Sequence, residues 1–93
     1  MDRTMTLHPL GKQGVNIDRN KYVVMRQAIL DVVAEHGEIT FRRLTDRIHD
    51  RLGGQFSGSI SWYVTTVKLD LEARGEIRRV PKSSPQRLRL TTG

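Results

Sequence analysis

Residues 64–90, VTTVKLDLEARGEIRRVPKSSPQRLRL, decide the fold. Their first part completes an apolar stripe at helical spacing, which predicts a helix over residues 60–74. The stripe consists of Ile60, Val64, Val67 and Leu71. Ser57 or Ser59 is the expected N-cap, and Gly75 follows the last turn, where a left-handed residue commonly ends a helix.

A β-hairpin is predicted directly after this helix. Two extended runs, residues 76–80 and 86–90, flank five residues that have proline at both ends. Such an arrangement is typical of two antiparallel strands joined by a protruding loop. Residues 38–40 are too short for an independent strand, but they could add a third strand to the sheet.

Two further helices are predicted upstream, over residues 19–36 and 41–52. Each has apolar residues at the spacing of one helical face. Asp18 and Thr40 precede them as capping residues, and each helix is followed by a glycine. The sequence therefore predicts an α+β domain with three helices and a small two- to three-stranded antiparallel sheet.

The domain is expected to cover residues 17–93. Residues 1–16 lack periodicity and contain proline and glycine, so they are predicted to form a flexible N-terminal arm. The predicted helices and strands should share one core, made of Ile29, Val33, Leu44, Ile48, Val64, Val67, Leu71, Ile77 and Leu88.

The predicted order of elements resembles that of a winged helix-turn-helix domain. Residues 71–77, LEARGEI, look like the helix-to-wing junction of MarR-type repressors. The stretches GVNIDRNKY, GSISWYVTTVKLDLEARG and VPKSSPQRLRL resemble a family of small bacterial proteins of uncharacterised function. The first resemblance implies a winged helix fold and DNA binding; the second implies the same fold and supplies no activity.

The distribution of charge points to a polyanionic partner. The net charge is +6, and residues 1–40 contain five basic and five acidic residues. Residues 41–93 contain eleven basic and five acidic residues, so the whole surplus lies there. Nucleic acid is the first candidate and an anionic membrane the second. The alternative is that the charge only keeps a small protein in solution.

The predicted hairpin, or wing, carries most of the candidate phosphate contacts. They are Arg78, Lys82, Arg87 and Arg89, and no acidic residue lies between residues 77 and 90. Strand alternation places Arg87 and Arg89 on the face opposite Leu88. The alternative is a solvated edge whose charges prevent aggregation. Arg43 and Arg47 add a basic stripe on the second helix, which crosses the DNA backbone in a helix-turn-helix.

The start of the third helix carries the candidate base contacts. They are Ser61, Trp62, Thr65, Thr66 and Lys68. DNA-reading helices of this type usually carry Arg, Lys, Asn or Gln there, and hydroxyl groups discriminate bases weakly beside a bidentate arginine. Trp62 is also a residue type enriched in protein interfaces. The sequence therefore leaves open a dimerisation or protein-interaction module that does not bind DNA.

Other functional classes find no support in the sequence. There is no cysteine, and the three histidines share no metal-ligand spacing. No catalytic grouping, cofactor motif, small-molecule site, secretory signal or membrane span is apparent. We therefore predict a cytoplasmic, non-enzymatic protein without metal or cofactor. Its expected partner is double-stranded DNA, in a regulatory or weakly sequence-specific role, with a homodimer as a further expectation.

Overall fold

A computed structural model describes residues 2–91. Three residues lie outside the described residues. They are Met1, the first residue of the predicted arm, and Thr92 and Gly93, the last residues of the predicted domain. The described chain is an α+β protein with three helices and two small antiparallel sheets.

The three helices begin at the capping residues that the sequence indicates. They are α1 (Arg19–His36), α2 (Phe41–Leu52) and α3 (Ile60–Ala73). Side-chain oxygens of Asp18, Thr40 and Ser59 accept hydrogen bonds from amides of the first turns, which have no partner within the helix. The predicted bounds of α1 and α2 are confirmed. Helix α3 ends at Ala73, one residue earlier than predicted.

The larger sheet contains the predicted hairpin and the additional strand. Its strands are β3 (Glu38–Thr40), β4 (Ile77–Arg79) and β5 (Arg87–Leu90), in the order β3-β5-β4. Leu88 of the central strand pairs with Ile39 on one side and Arg79 on the other. Its side chain is fully buried, so the sheet is attached to the core through the middle of β5.

One strand of the smaller sheet lies in the segment for which the sequence predicts a flexible arm, and the other strand spans the boundary between that arm and the predicted domain. Strands β1 (Arg3–Met5) and β2 (Asn16–Asp18) pair antiparallel, and the predicted arm therefore contains regular structure. Two local features favour the pairing. The Thr6 hydroxyl accepts a hydrogen bond from the Val15 amide, and the Thr6 carbonyl oxygen lies 1.7 Å from where a Cβ on Gly14 would stand. Only glycine fits at that position.

All nine predicted core residues belong to one buried cluster, and none is more than 1% exposed. The cluster also contains Ile17, Met25, Ala28, Val32, Ile39 and Ile60. It lies between the three helices and the inner face of the β3-β5-β4 sheet.

Candidate nucleic-acid interface

The β4–β5 hairpin lies along one side of α3 and is held there by two side-chain contacts. Arg79 Nε donates to Glu72 Oε1 at 2.8 Å, and Lys68 Nζ donates to Gln86 Oε1 at 2.9 Å. Lys68 and Glu72 are four residues apart, so they lie on the same side of the helix. The hairpin is therefore adjacent to the exposed face of α3.

Helix α2 meets the hairpin and α3 in the same region. The Phe41 amide donates to the Gln86 carbonyl oxygen at 3.0 Å, which places the start of α2 beside the start of β5. His49 Nε2 lies 3.2 Å from Ser61 Oγ, which brings the other end of α2 to the start of α3. We use the name α3–hairpin surface for the exposed residues around these contacts: Arg42, Arg43, Ser61, Trp62, Thr65, Arg78, Lys82 and Arg87.

The predicted base-contacting residues of α3 are mostly accessible. Ser61, Trp62 and Thr65 are exposed, and Thr66 is half-buried. The Thr65 hydroxyl donates to the Ser61 carbonyl oxygen within the helix at 3.0 Å. Trp62 is 44% exposed and contacts the ring of Tyr63 edge-on. This end of α3 therefore offers hydroxyl groups and an indole, and no cation.

Lys68 does not lie on the surface with them, because its side chain is buried between α3 and the hairpin. It is 4% exposed, and its ammonium lies 3.4 Å from a Glu72 carboxylate oxygen and 5.0 Å from the centre of the Phe41 ring. Burial lowers the pKa of Lys68, while the charge of Glu72 opposes that shift. Lys68 therefore positions the hairpin, in contrast to the DNA contact expected from the sequence.

The basic side chains of the hairpin differ in their exposure and in whether an acidic residue lies near them. Arg78 and Lys82 are exposed and have no side-chain partner among residues 2–91. Arg87 is exposed, and its guanidinium lies 3.8 Å from Glu38. Arg89 is half-buried and stands opposite Glu38 and Arg78 in the strand register. Arg78, Lys82 and Arg87 are therefore the cations of the hairpin best placed to meet an anionic partner.

On α2, the basic residues divide into two groups. The Arg43 side chain is exposed and has no partner within the described chain, and Arg47 is exposed with a distant contact to Asp50 at 3.8 Å. Arg51, at the other end of the helix, instead binds both carboxylate oxygens of Glu35 on α1. The first turns of α2 thus carry available charge, and its last turn holds the helix to α1.

A buried carboxylate that sequence reasoning missed connects the smaller sheet, α1 and α3. Asp70 is fully buried and accepts hydrogen bonds from the Leu7 amide, the Tyr22 hydroxyl and Arg74 Nε. Burial and the hydrogen bond to Asp70 raise the pKa of Tyr22 to about 12. Its position in the sequence could have indicated burial, because Asp70 directly precedes Leu71 and lies three residues after Val67 on the buried side of α3.

Within the described range 2–91, no three or more histidine, aspartate or glutamate residues are grouped so that they could hold a metal ion. The three helices, all inside that range, lack the combination of length and apolar character that a membrane span requires.

Comparison with known proteins identifies one family. A family model described as a family of unknown function, DUF6958, matches residues 3–88, which includes the smaller sheet and all three helices and ends within strand β5 of the larger sheet. The chain belongs to this family. No curated protein and no solved structure matches it. The DUF6958 match begins in β1, so the family pattern includes the smaller sheet as well as the three-helix core.

Proposed function

We propose that this DUF6958 protein is a winged helix protein that binds double-stranded DNA, with α3 in the major groove and the β4–β5 hairpin as the wing. The observation that carries the proposal is the attachment of a basic hairpin to the side of α3. The contacts Arg79–Glu72 and Lys68–Gln86 fix the hairpin beside the exposed hydroxyl groups of that helix. A helix and a basic hairpin side by side suit a groove and its flanking phosphates.

The electrostatics of the α3–hairpin surface support a backbone-dominated mode of binding. The side chains of Arg78 and Lys82 have no partner within the described chain, so binding DNA would break no existing side-chain contact of theirs. Arg87 would exchange a long contact with Glu38, which is itself 43% exposed, for a phosphate. Exposed ion pairs contribute little to stability, so this exchange costs little. Arg42 and Arg43 supply further charge from the start of α2.

The chemistry of α3 supports weak sequence preference. Serine and threonine hydroxyls accept and donate, so they contact several bases with similar energy. Lys68, the first cation along the helix, is buried. We therefore propose that phosphate contacts provide most of the affinity and that Trp62 and Thr65 adjust the preference for particular sites. A regulator of transcription with low selectivity fits these properties and would act in the cytoplasm.

The test is a titration of a fluorescent duplex of random sequence with the protein at a series of salt concentrations. Four or five contacts by these cations would give a log–log salt slope of roughly −3.6 to −4.5, since each phosphate contact contributes about −0.9. The absence of binding at about 50 mM salt, or a slope close to zero, would overturn the proposal.

A second candidate function is supported by the exposure of Trp62. An indole that is 44% exposed and packs edge-on against Tyr63 is a suitable centre for a protein interface or a homodimer. Sedimentation velocity of the protein and of Trp62→Ala distinguishes this function from DNA binding. A dimer that dissociates on substitution, together with no affinity for duplex DNA, would favour the interaction module.

A further inference from the structure

A cleft of about 570 Å³ separates the loop of the β1–β2 hairpin from the C-terminal half of α3 and strand β4. We call it the arm cleft. The residues that matter for its chemistry are His8, Leu10, Lys12, Leu69 and Arg78. The cleft continues the α3–hairpin surface, because Arg78 belongs to both, and it lies beyond the part of α3 that carries Ser61 and Thr65.

The sides of the cleft are basic and come from two different parts of the chain. Lys12 lies on the arm side and Arg78 on the strand side, and both are exposed without a side-chain partner among residues 2–91. Arg79 also lines the cleft; its Nε binds Glu72, and a guanidinium has four further N–H donors. His8 Nδ1 accepts from the Leu10 amide at 3.2 Å, so the neutral imidazole carries its proton on Nε2 and can donate from there.

The acidic residue in the cleft is already compensated. Glu72 is 7% exposed as a side chain, and its carboxylate lies 2.8 Å from Arg79 Nε and 3.4 Å from Lys68 Nζ. With two cations in contact with one carboxylate, the remaining charge of Lys12 and Arg78 is not neutralised by it. The accessible apolar surface of the lining comes from Leu10, which is exposed, and Leu69, which is half-buried.

We infer that the arm cleft binds a phosphate ester, with the phosphate between Lys12 and Arg78 and the sugar against the apolar surface. An apolar wall beside two unpartnered cations matches the two parts of a deoxyribose phosphate, which are the C–H face of the sugar and the anionic group. The source of the phosphate is either the DNA backbone, in which case the inference rests on the proposed function, or a free nucleotide. In both cases the β1–β2 hairpin is part of the binding surface rather than a cover for α3.

The first arm of the test compares Lys12→Gln with Arg19→Gln in the duplex titration. Both substitutions remove one exposed charge, and Arg19 lies at the opposite end of the β1–β2 hairpin from Lys12. If the cleft holds a backbone phosphate, Lys12→Gln should reduce the magnitude of the salt slope by about 0.9, while Arg19→Gln leaves it unchanged. Circular dichroism of both variants establishes that the fold is kept.

The second arm titrates the protein with inorganic phosphate and with thymidine 5′-monophosphate and follows the amide resonances of residues 8–12 and 77–79. Saturable shifts in both segments that Lys12→Gln abolishes indicate a free phosphate ester, even if the protein binds no DNA. If the amide resonances do not shift but Lys12→Gln changes the salt slope in the first arm, the phosphate in the cleft belongs to the DNA backbone. A protein that binds duplex DNA with an unchanged Lys12→Gln slope, and shows no shifts, overturns the inference and leaves the proposed function standing. If the protein binds no duplex DNA and neither phosphate ligand shifts the resonances, both the inference and the proposed function are overturned.

Discussion

The hydroxyl of Tyr22 in α1 donates a hydrogen bond of 2.5 Å to Oδ2 of Asp70 in α3. The same carboxylate accepts from Arg74 Nε at 2.9 Å and from the Leu7 amide at 2.8 Å. One buried side chain therefore fixes the position of the β1–β2 hairpin relative to both helices, and with it the position of the arm cleft.

Tyr22→Phe should destabilise the protein by about 1–3 kcal/mol, because a buried carboxylate loses a donor that water replaces poorly. Urea denaturation followed by circular dichroism measures the change. Tyr63→Phe is the matched control, since the described contacts of Tyr63 with Phe56 and Trp62 are made by its ring. Equal free energies of unfolding for wild type and Tyr22→Phe would contradict the role assigned to the hydroxyl.

The same hydrogen bond predicts a loss of stability at alkaline pH. The pKa of Tyr22 is raised from 10.0 to about 12, chiefly by burial and by the hydrogen bond to Asp70. Below pH 10 the hydroxyl is protonated in both the folded and the unfolded state, so its full contribution to the free energy of unfolding is present. Between pH 10 and about 12 the unfolded state loses the proton first, so the free energy of unfolding falls.

The alkaline loss is measured as the difference between wild type and Tyr22→Phe, by urea denaturation between pH 8 and pH 12. The difference is needed because the pKa of Lys68 is lowered by burial, and its titration acts in the opposite direction. The stability advantage of wild type over Tyr22→Phe should shrink as the pH rises through this range. An advantage that stays constant to pH 12 would place the Tyr22 hydroxyl in an ordinary environment.

The core was accessible to sequence reasoning because its signals are local. Helix caps such as Asp18 and Thr40 act within three residues, and an apolar stripe needs only the period of a helix. The β1–β2 pairing was not accessible in this way. It depends on a glycine that lies against a carbonyl group and on a hydrogen bond between Leu7 and Asp70, which are 63 residues apart.

The candidate site was accessible in part for a similar reason. Alternation along a strand predicted that Leu88 is buried while Arg87 faces outward, and both are confirmed. The burial of Lys68 was not predicted, because it depends on the side chains of Gln86 and Phe41, which belong to other elements. A charged side chain on a helix is usually exposed, but its apolar stem can be buried when a neighbouring element packs over it.

Leu71→Ala should cost about 2–5 kcal/mol, because Leu71 is fully buried in the centre of the core and its truncation leaves a cavity. Leu10→Ala is the control. Leu10 is 76% exposed, so its truncation should change the free energy of unfolding by less than about 0.5 kcal/mol. A change below about 0.5 kcal/mol for Leu71→Ala would contradict the register of α3 on which the α3–hairpin surface depends.

The last prediction separates phosphate contacts from base contacts. If the protein binds DNA as proposed, replacing both Arg78 and Lys82 with alanine should reduce the magnitude of the salt slope by about 2, because each substitution removes one proposed phosphate contact of about 0.9. The loss of affinity should be similar on every duplex sequence, since phosphates carry no sequence information. Arg3→Ala with Arg19→Ala removes the same charge from the end of the β1–β2 hairpin that lies away from its loop, and should leave the slope unchanged.

Thr65→Ala and Trp62→Ala should behave in the opposite way. Neither removes charge, so the salt slope should stay close to that of wild type, while the ranking of affinities among a panel of duplex sequences changes. Competition titrations against such a panel at one salt concentration measure the ranking. If the α3 variants alter the slope and the hairpin variants alter the ranking, the assignment of phosphate contacts to the hairpin and base contacts to α3 is wrong. If the hairpin variants change neither quantity, the cations of the hairpin do not touch DNA at all.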